Sequence, residues 1–250
     1  MTAGLFDYPR SAAFGRVLPK NKIYEHAGAG AGLKQLFVTQ IDQIVWRFKL
    51  APETINLAAT SAVTEIQIFE ISLRTGSPNE DILRAIDRAI PFPIIFELTW
   101  SGRRRATAAF KRPSEADASK WVISEYFSTD WTSEGGPRDA LPVALDLGGL
   151  YDKLLTAMMP AQVRTDGAIQ ERVARLEAVR AQAREIERIT LRLNREKQFN
   201  KRVAINAELR DAKLEMERLT RANAPMAATS EGGDDDDGQA QDAQPEPDGR

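Results

Sequence analysis

Apolar residues recur every three or four positions in the last third of the chain. Residues 168–219 contain no Gly or Pro. The repeated apolar positions are Ile169, Val173, Leu176, Val179, Ala183, Ile186, Ile189 and Leu193. Their mean spacing of about 3.4 residues is close to the 3.5-residue repeat of a left-handed coiled coil. One helix of this length cannot bury such a stripe within itself, so the pattern predicts a long helix that pairs with another protein.

The stripe becomes irregular after Leu193, where Asn200 and Asn206 fall near core positions. The amide of a buried Asn needs a hydrogen-bond partner, which penalises wrong registers and favours one particular partner helix. The predicted partner-binding residues are Val173, Leu176, Val179, Ile186, Ile189, Leu193, Asn200 and Val203. The alternative is that the helix bends at this point and packs on the head.

The first 160 residues mix helical and alternating patterns. The spacing predicts helices over 33–49, 78–90 and 145–159, and strands over 54–57, 63–74, 121–127 and the two arms of a hairpin that turns at Ser101–Gly102. The sequence Ser77-Pro78-Asn79-Glu80 marks the start of the second helix, with Ser77 as its cap, and Pro91 marks its end. The predicted fold is therefore α+β, a mostly antiparallel sheet with flanking helices, followed by a long C-terminal coiled-coil helix.

Charge divides the chain further. Residues 223–250 carry eight acidic side chains against Arg250, a net charge of −7. Since the 250-residue chain sums to −2, residues 1–222 carry +5. An acidic segment rich in Gly, Gln and Pro cannot form a core, so we expect a disordered acidic tail. The predicted domains are a head at 1–160, a coiled-coil arm at 165–222 and the tail at 223–250.

Composition removes several classes of chemistry. The chain has no Cys and a single His, which excludes thiolate metal sites, zinc clusters and cysteine nucleophiles. The first residues show no basic region followed by an apolar stretch, and no segment approaches 18 apolar residues, so we expect neither a signal peptide nor a membrane span. We expect a cytoplasmic protein without a bound cofactor or metal. The one metal hypothesis left open uses Glu65, Glu70 and Glu97, which lie on predicted strands and could hold Mg²⁺ for phosphodiester cleavage.

Basic residues concentrate on the second strand of the predicted hairpin. A candidate phosphate-contacting patch combines this strand with an N-terminal pair, and consists of Lys20, Lys22, Arg103, Arg104, Arg105, Lys111 and Arg112. The alternative is an edge strand whose charges prevent aggregation. The arm carries a second basic ridge, formed by residues four positions apart: Arg180, Arg184, Arg188 and Arg192. We expect this ridge to be a solvated face, and a surface that binds DNA or an acidic partner is the second interpretation.

Several stretches of the chain carry a family resemblance. They include LPKNKIYEH (18–26), VTEIQIFEI (63–71), AIDRAIPFPIIFEL (85–98) and NREKQFNKRVAINAEL (194–209). In these stretches the chain resembles an uncharacterised bacterial family of domains of unknown function, the 4391 type. Such proteins tend to be encoded beside SNF2-type helicases and DNA methyltransferases in phage-defence clusters. The family often has a Glu-x-Glu-x-Lys run where this chain has Glu70-Ile-Ser72-Leu-Arg74, and this departure weakens a nuclease assignment.

The resemblance implies a non-catalytic accessory subunit of a phage-defence, restriction-like complex. Its protein partner would be a helicase or methyltransferase, or a second copy, bound through the coiled coil, with possible DNA contacts from the head. The resemblance supplies no catalytic residues. Two alternatives stay open: a metal-dependent nuclease or other DNA-processing enzyme that uses the strand glutamates, and a standalone DNA-binding protein that uses the basic strand.

Overall fold

The molecule is organised around one seven-stranded sheet with helices on both faces and a helical hairpin at one edge. The computed structural model describes residues 5–114, 116–117, 120–160 and 166–223. The strands are β1 (Phe6–Asp7), β2 (Ala13–Val17), β3 (Ile41–Leu50), β4 (Ile66–Leu73), β5 (Ile94–Trp100), β6 (Arg103–Pro113), β7 (Trp121–Ser128), β8 (Thr132–Ser133) and β9 (Asp139–Ala140). The helices are α1 (Lys20–Ala27), α2 (Ala31–Gln40), α3 (Pro52–Ile55), α4 (Glu80–Ala89), α5 (Leu147–Met158), α6 (Ile169–Arg195) and α7 (Phe199–Asn223).

The sheet confirms the predicted α+β class with a mostly antiparallel sheet. Its strand order is β2-β3-β4-β5-β6-β7, and β8 adds to β6. Strands β4 and β5 run parallel, joined by α4, while the other neighbouring pairs are antiparallel. The short strands β1 and β9 form a separate parallel pair. A parallel pair at the centre of the sheet requires a crossover, and α4 supplies it.

Two hydrophobic cores lie on opposite faces of the sheet, because successive strand residues point to opposite sides. The first core packs α5 on the sheet and includes Leu50, Ile66, Ile68, Ile95, Phe127, Leu150, Tyr151 and Leu154. The second packs α1, α2 and α4 on the other face and includes Ile23, Phe37, Ile41, Phe69, Ile71, Ile82, Ile86 and Phe96. The central strand is apolar on both sides, as its sequence predicts.

Two N-terminal predictions were wrong. The helix predicted over 33–49 ends at Gln40, and β3 begins at the next residue. The β-branched and aromatic side chains of β3 pair with strands on both sides, and this tertiary pairing overrides their helical spacing. The strand predicted over 54–57 is replaced by α3, which starts at Pro52, while the Thr54 hydroxyl accepts the backbone N–H of Ala51 at 2.9 Å.

The α4 helix and the β5–β6 hairpin lie where the sequence predicts them. Asn79 rather than Ser77 caps α4, since its side-chain oxygen accepts the backbone N–H of Asp81 at 2.8 Å. The hairpin turns at Ser101 and Gly102, whose φ angles are +48° and +71°. Positive φ at both central residues is typical of the tight turn that matches strand twist.

The C-terminal segment contains long helices, but the prediction of one uninterrupted helix was wrong. The chain leaves helical geometry at Glu196, and α6 and α7 form a hairpin. The Glu196 carboxylate accepts the backbone N–H groups of Lys197 and Gln198, which secures the connection. Ile189, Ile205 and Ala212 are buried between the two helices. The apolar stripe is therefore covered within the same chain.

The base of α6 is fastened to the head. Val173 and Leu176 are buried in the α5-side core. Glu177 accepts the backbone N–H of Glu125, a residue of β7, at 2.9 Å. Since β7 ends the main strand order, α6 covers a sheet edge that would otherwise expose backbone donors.

No helix in the described ranges is long and apolar enough to cross a membrane. The predicted acidic tail lies outside the described residues, apart from Asn223, and so does most of the predicted junction between head and arm.

Candidate functional site

Two glutamates lie side by side on the central parallel strands. Glu70 of β4 is in register with Glu97 of β5. Their neighbours Phe69 and Phe96 belong to the core on the α4 side, so strand alternation directs both carboxylates to the α5 side. Glu97 is only 3% exposed. A carboxylate at that depth needs charged partners to remain ionised.

Three arginines supply those partners. Arg104 of β6 donates to Glu97 Oε2 at 2.6 Å and to Glu70 Oε2 at 3.1 Å. Arg138 donates to both oxygens of Glu97, at 2.9 and 2.7 Å, in a bidentate arrangement. Arg47 of β3 lies 3.1 Å from Glu70 Oε1. The result is an alternating chain, Arg47–Glu70–Arg104–Glu97–Arg138, which we call the charged cluster.

The charged cluster fixes the protonation of its surroundings. The hydrogen bond to Glu97 raises the pKa of Arg138. Burial raises the pKa of Tyr8 well above its ordinary value, and the negative charge of Glu97 raises it further. At neutral pH Arg138 is therefore a permanent cation and Tyr8 a neutral phenol.

A cavity of about 410 Å³ opens over the charged cluster. Tyr8, Phe14 and Phe48 add aromatic surface to its lining. A wider groove of about 990 Å³ shares Tyr8 and Arg138 with this cavity and extends to an apolar end lined by Ile55, Leu57, Leu141 and Val143. An anion that entered the cavity would compete with the glutamates for the arginines, and Arg47 is the most accessible because its side chain is 48% exposed.

The three glutamates proposed as metal ligands do not converge. Glu70 and Glu97 meet in the charged cluster, whereas Glu65 pairs with Lys49 at 3.3 Å and accepts from Gln67 at 2.5 Å. Among the described residues there is no group of three or more His, Asp or Glu side chains placed to hold a metal ion. The chemistry available at this site is ion pairing rather than metal ligation.

The predicted basic patch is divided by the fold, and two of its lysines point inward. Lys111 is 1% exposed, and its Nζ donates to the backbone carbonyls of Asp87, Ile90 and Phe92 at the C-terminal end of α4. Lys20 donates to the carbonyl of Ile41 at 2.6 Å. These ammonium groups satisfy backbone acceptors, so the structure does not present them as phosphate contacts.

The other members of the patch are spread over different environments. Arg104 belongs to the charged cluster, and the guanidinium of Arg105 lies 4.8 Å from the ring centre of Trp131. Arg103 is exposed and donates to the Trp131 carbonyl at 3.3 Å. Lys22 is exposed beside Glu25, and Arg112 is partly buried and donates to the Pro113 carbonyl. Arg104 and Lys111 are therefore paired with acids inside the head, whereas Arg103 remains an exposed cation.

Lys111 belongs to a second buried polar group. Its Nζ lies 3.8 Å from Asp87 Oδ1, and the Tyr126 hydroxyl donates to Asp87 Oδ2. Burial lowers the pKa of Lys111 to about 8 and raises the pKa of Asp87 to about 6. The Tyr151 hydroxyl accepts the backbone N–H of Lys111 at 3.0 Å, which ties this group to α5.

The predicted partner-binding residues are also divided. Val173 and Leu176 are buried in the head and Ile189 in the hairpin, with Ile186 and Leu193 packed beside Ile189. The prediction that these side chains require another protein is corrected, because the head and α7 cover them. Val179 is partly buried, whereas Asn200 is exposed and Val203 is 53% exposed.

The basic ridge of α6 is mostly paired. Arg180 and Arg184 contact the Glu125 carboxylate at 3.2 and 2.6 Å. Farther along, Arg188 pairs with Glu185, and Arg192 pairs with Glu208 of α7. The first two arginines hold the helix to the head, and the last holds the hairpin together.

Sequence reasoning named Glu70, Glu97 and Arg104 in other roles, and it missed Arg47 and Arg138 of the charged cluster. Arg138 lies outside any periodic segment, and Tyr8 precedes the first predicted helix, so no pattern connects either of them to Glu97. Asp87 reads as a polar position on a helix whose other face is apolar. A signal did exist for Glu97: an acid inside an otherwise apolar strand requires a cationic partner.

Comparison with protein-family models finds one match. The model is described as a domain of unknown function, DUF4391, and it matches residues 6–216. The chain belongs to this family. The match covers the head and nearly all of the hairpin, so the hairpin is part of the DUF4391 domain and not an appended segment. No curated protein and no solved structure shows significant similarity to the chain.

Proposed function

We propose that this DUF4391 protein is a non-catalytic accessory subunit of a cytoplasmic bacterial phage-defence complex. Its helical hairpin would dock on a helicase or methyltransferase of that complex. The gene neighbourhood implied by the family resemblance suggests these partners. The surface of α7 supports the docking.

The observation that carries the proposal is a second apolar face on α7. One face, with Ile205 and Ala212, packs against α6. The opposite face carries Phe199, Val203 and Leu214, which are 77%, 53% and 57% exposed. Val203 and Leu214 are eleven residues apart, or about three helical turns, so they lie on the same side. Exposed apolar residues aligned in this way are typical of a helix that packs on a partner.

The charged cluster supports a non-catalytic assignment. A metal-dependent nuclease would need Glu70 and Glu97 as free ligands, but both carboxylates accept hydrogen bonds from Arg104. Plasmid cleavage with Mg²⁺ tests the alternative directly. Cleavage by the purified chain that is abolished by both Glu70→Ala and Glu97→Ala would overturn the non-catalytic assignment.

Docking can be tested by co-expressing the full chain with the helicase and methyltransferase encoded beside it. The test variant combines Phe199→Ser, Val203→Ser and Leu214→Ser, which change exposed positions and leave both cores intact. The matched control combines Val17→Ser, Val38→Ser and Val122→Ser, at head positions 58%, 55% and 42% exposed. We expect the hairpin variant to lose co-purification and the control to retain it.

Three outcomes would reject the docking proposal. The unaltered chain could co-purify with neither protein, or the hairpin variant could still be retained. Light scattering of the purified chain could also reveal a dimer that the hairpin variant abolishes, which would assign the outer face of α7 to a second copy instead.

A further inference from the structure

Positive charge gathers where α6 connects to α7. Residues 188–202 contain six Arg or Lys side chains and one acid, Glu196, a net charge of +5. The basic residues are Arg188, Arg192, Arg195, Lys197, Lys201 and Arg202. Two of them, Arg188 and Arg192, form ion pairs with glutamates. The other four lie in the last residue of α6, the connection and the first turn of α7, so they share one end of the hairpin.

These four side chains, which we call the tip cations, are exposed. Within the described ranges none of them makes a salt bridge or a side-chain hydrogen bond. Glu196, the acid among them, directs its carboxylate to the backbone N–H groups of Lys197 and Gln198. The Glu196 carboxylate keeps its negative charge, since the backbone N–H of Gln198 and the nearby charge of Lys201 lower its pKa. The four tip cations and this acid together carry a net charge of +3.

The cations of the predicted basic patch of the head differ from the tip cations in their contacts, and this difference indicates where a polyanion would bind. In that patch, Lys111 of β6 and Lys20 of α1 donate to backbone carbonyls, and Arg104 donates to three carboxylates. A phosphate could not reach those groups without breaking internal bonds. The side chains of the tip cations have no such bonds to lose, so a phosphate can reach them without breaking internal hydrogen bonds, and their charges exceed that of Glu196.

We propose that the tip cations form a binding site for the phosphodiester backbone of nucleic acid. This inference goes beyond the accessory role proposed above and does not depend on docking to a protein. Phosphates spaced along a strand match several separate cations on a rigid support, and each contact releases a counterion. A membrane surface fits the tip less well, because interfacial helices need a wide apolar face, whereas the large apolar side chains exposed near the tip in the described residues are Leu191, Phe199 and Val203.

The test measures fluorescence anisotropy of a labelled 20-nucleotide strand and a labelled 20-base-pair duplex, titrated with the full chain over a range of salt concentrations. The tip variant combines Arg195→Gln, Lys197→Gln, Lys201→Gln and Arg202→Gln. A control variant with the same charge change combines Arg10→Gln, Lys34→Gln, Arg88→Gln and Lys213→Gln, all exposed and away from the tip. Thermal melting verifies that both variants fold.

We expect the tip variant to weaken binding at least about 10-fold near 0.1 M salt, and the slope of log K against log salt to fall by about 3. The control should change binding less than about 2-fold. Comparable losses for strand and duplex would identify backbone contacts common to both, and a loss on one alone would identify that form as the ligand.

Other results would overturn the proposal. One is that the unaltered chain binds neither nucleic acid at about 50 mM salt, where such contacts are strong. Another is that the tip and control variants lose the same amount of affinity. A further contrary result is a tip variant that keeps nucleic-acid binding but loses binding to phosphatidylserine vesicles or to an acidic protein. The tip would then serve a different class of partner.

Discussion

The charged side chains of the head and those of the hairpin tip differ in burial and in the groups that they contact. In the head, Lys111 and Glu97 are buried and every contact they make is internal. At the tip, Arg195 and Arg202 are exposed and free of ion pairs in the described part of the chain. In the sequence, residues 103–112 of the head and the tip are both rich in cations. A count of cations therefore locates a binding surface only when the cations that already bind acceptors inside the protein are left out.

The largest expected effect comes from Lys111→Met. The variant leaves Asp87 as an unpaired buried carboxylate and removes donors from three backbone carbonyls. Loss of one partner of a buried pair costs about 3–5 kcal/mol in the free energy of unfolding. Urea denaturation should show this loss, with Arg103→Met as the exposed control, expected to cost less than about 0.5 kcal/mol. If Lys111→Met and Arg103→Met lowered the free energy of unfolding equally, buried and exposed charges would not differ in their contribution to stability.

Leu176→Ala tests whether the arm belongs to the head. Leu176 is 5% exposed in the α5-side core, so truncation should destabilise the whole domain by about 3 kcal/mol. Leu191, on the same helix but 49% exposed, provides the matched control, expected to cost less than about 1 kcal/mol. A single unfolding transition that shifts only for Leu176→Ala would confirm one cooperative unit. Separate transitions for head and hairpin would contradict it.

Glu97→Gln probes the charged cluster with little change in shape. Arg104 and Arg138 would each lose a charged acceptor, at a cost of about 2 kcal/mol in the free energy of unfolding. Glu134, which contacts Arg104 at 3.3 Å but is half exposed, gives the control Glu134→Gln with an expected cost below about 1 kcal/mol. A stabilising effect of Glu97→Gln would instead indicate that the glutamate is retained for binding or catalysis.

The smallest expected effect is the pH dependence from Lys111. Burial lowers its folded pKa to about 8, below the ordinary value of 10.5. Between these values the unfolded chain binds more protons than the folded one, so stability rises with pH, by about 1 kcal/mol per unit at most. Denaturation midpoints at pH 8.5 and 9.5 measure the slope. The slope should flatten in Lys111→Met, and an unchanged slope would assign it to other groups.

The sequence predicts the fold class and the strongest elements correctly. The correct predictions rest on local signals, namely the apolar run of β4, the turn at Ser101–Gly102 and the helix end before Pro91. The structure has each of these features where the sequence predicts it. The segment over 33–49 fails because its spacing fits a helix and a strand equally well. Only pairing with β2 and β4 decides between them, and pairing is not visible along the chain.

The candidate site is less accessible to sequence reasoning. The charged cluster joins residues from five separate segments, so no spacing reveals it. The arm shows the same limit, since its periodicity predicts that the stripe is buried but not by which surface. Glu196 and the irregular stripe after Leu193 mark the bend that lets α7 provide that surface. The alternative was correct about the bend, but α7 packs on α6 and not on the head as that alternative expected.

The attachment of α6 along β7 has a geometric consequence. The hydrogen bonds and ion pairs from α6 to the head in the described residues end with Arg184. Eleven further residues at about 1.5 Å each place Arg195 roughly 16 Å beyond that anchor. Since Glu177, Arg180 and Arg184 hold the base of α6 to β7, we expect the hairpin to act as a stiff spacer. A molecule bound at its end would then be kept at a set distance from the head.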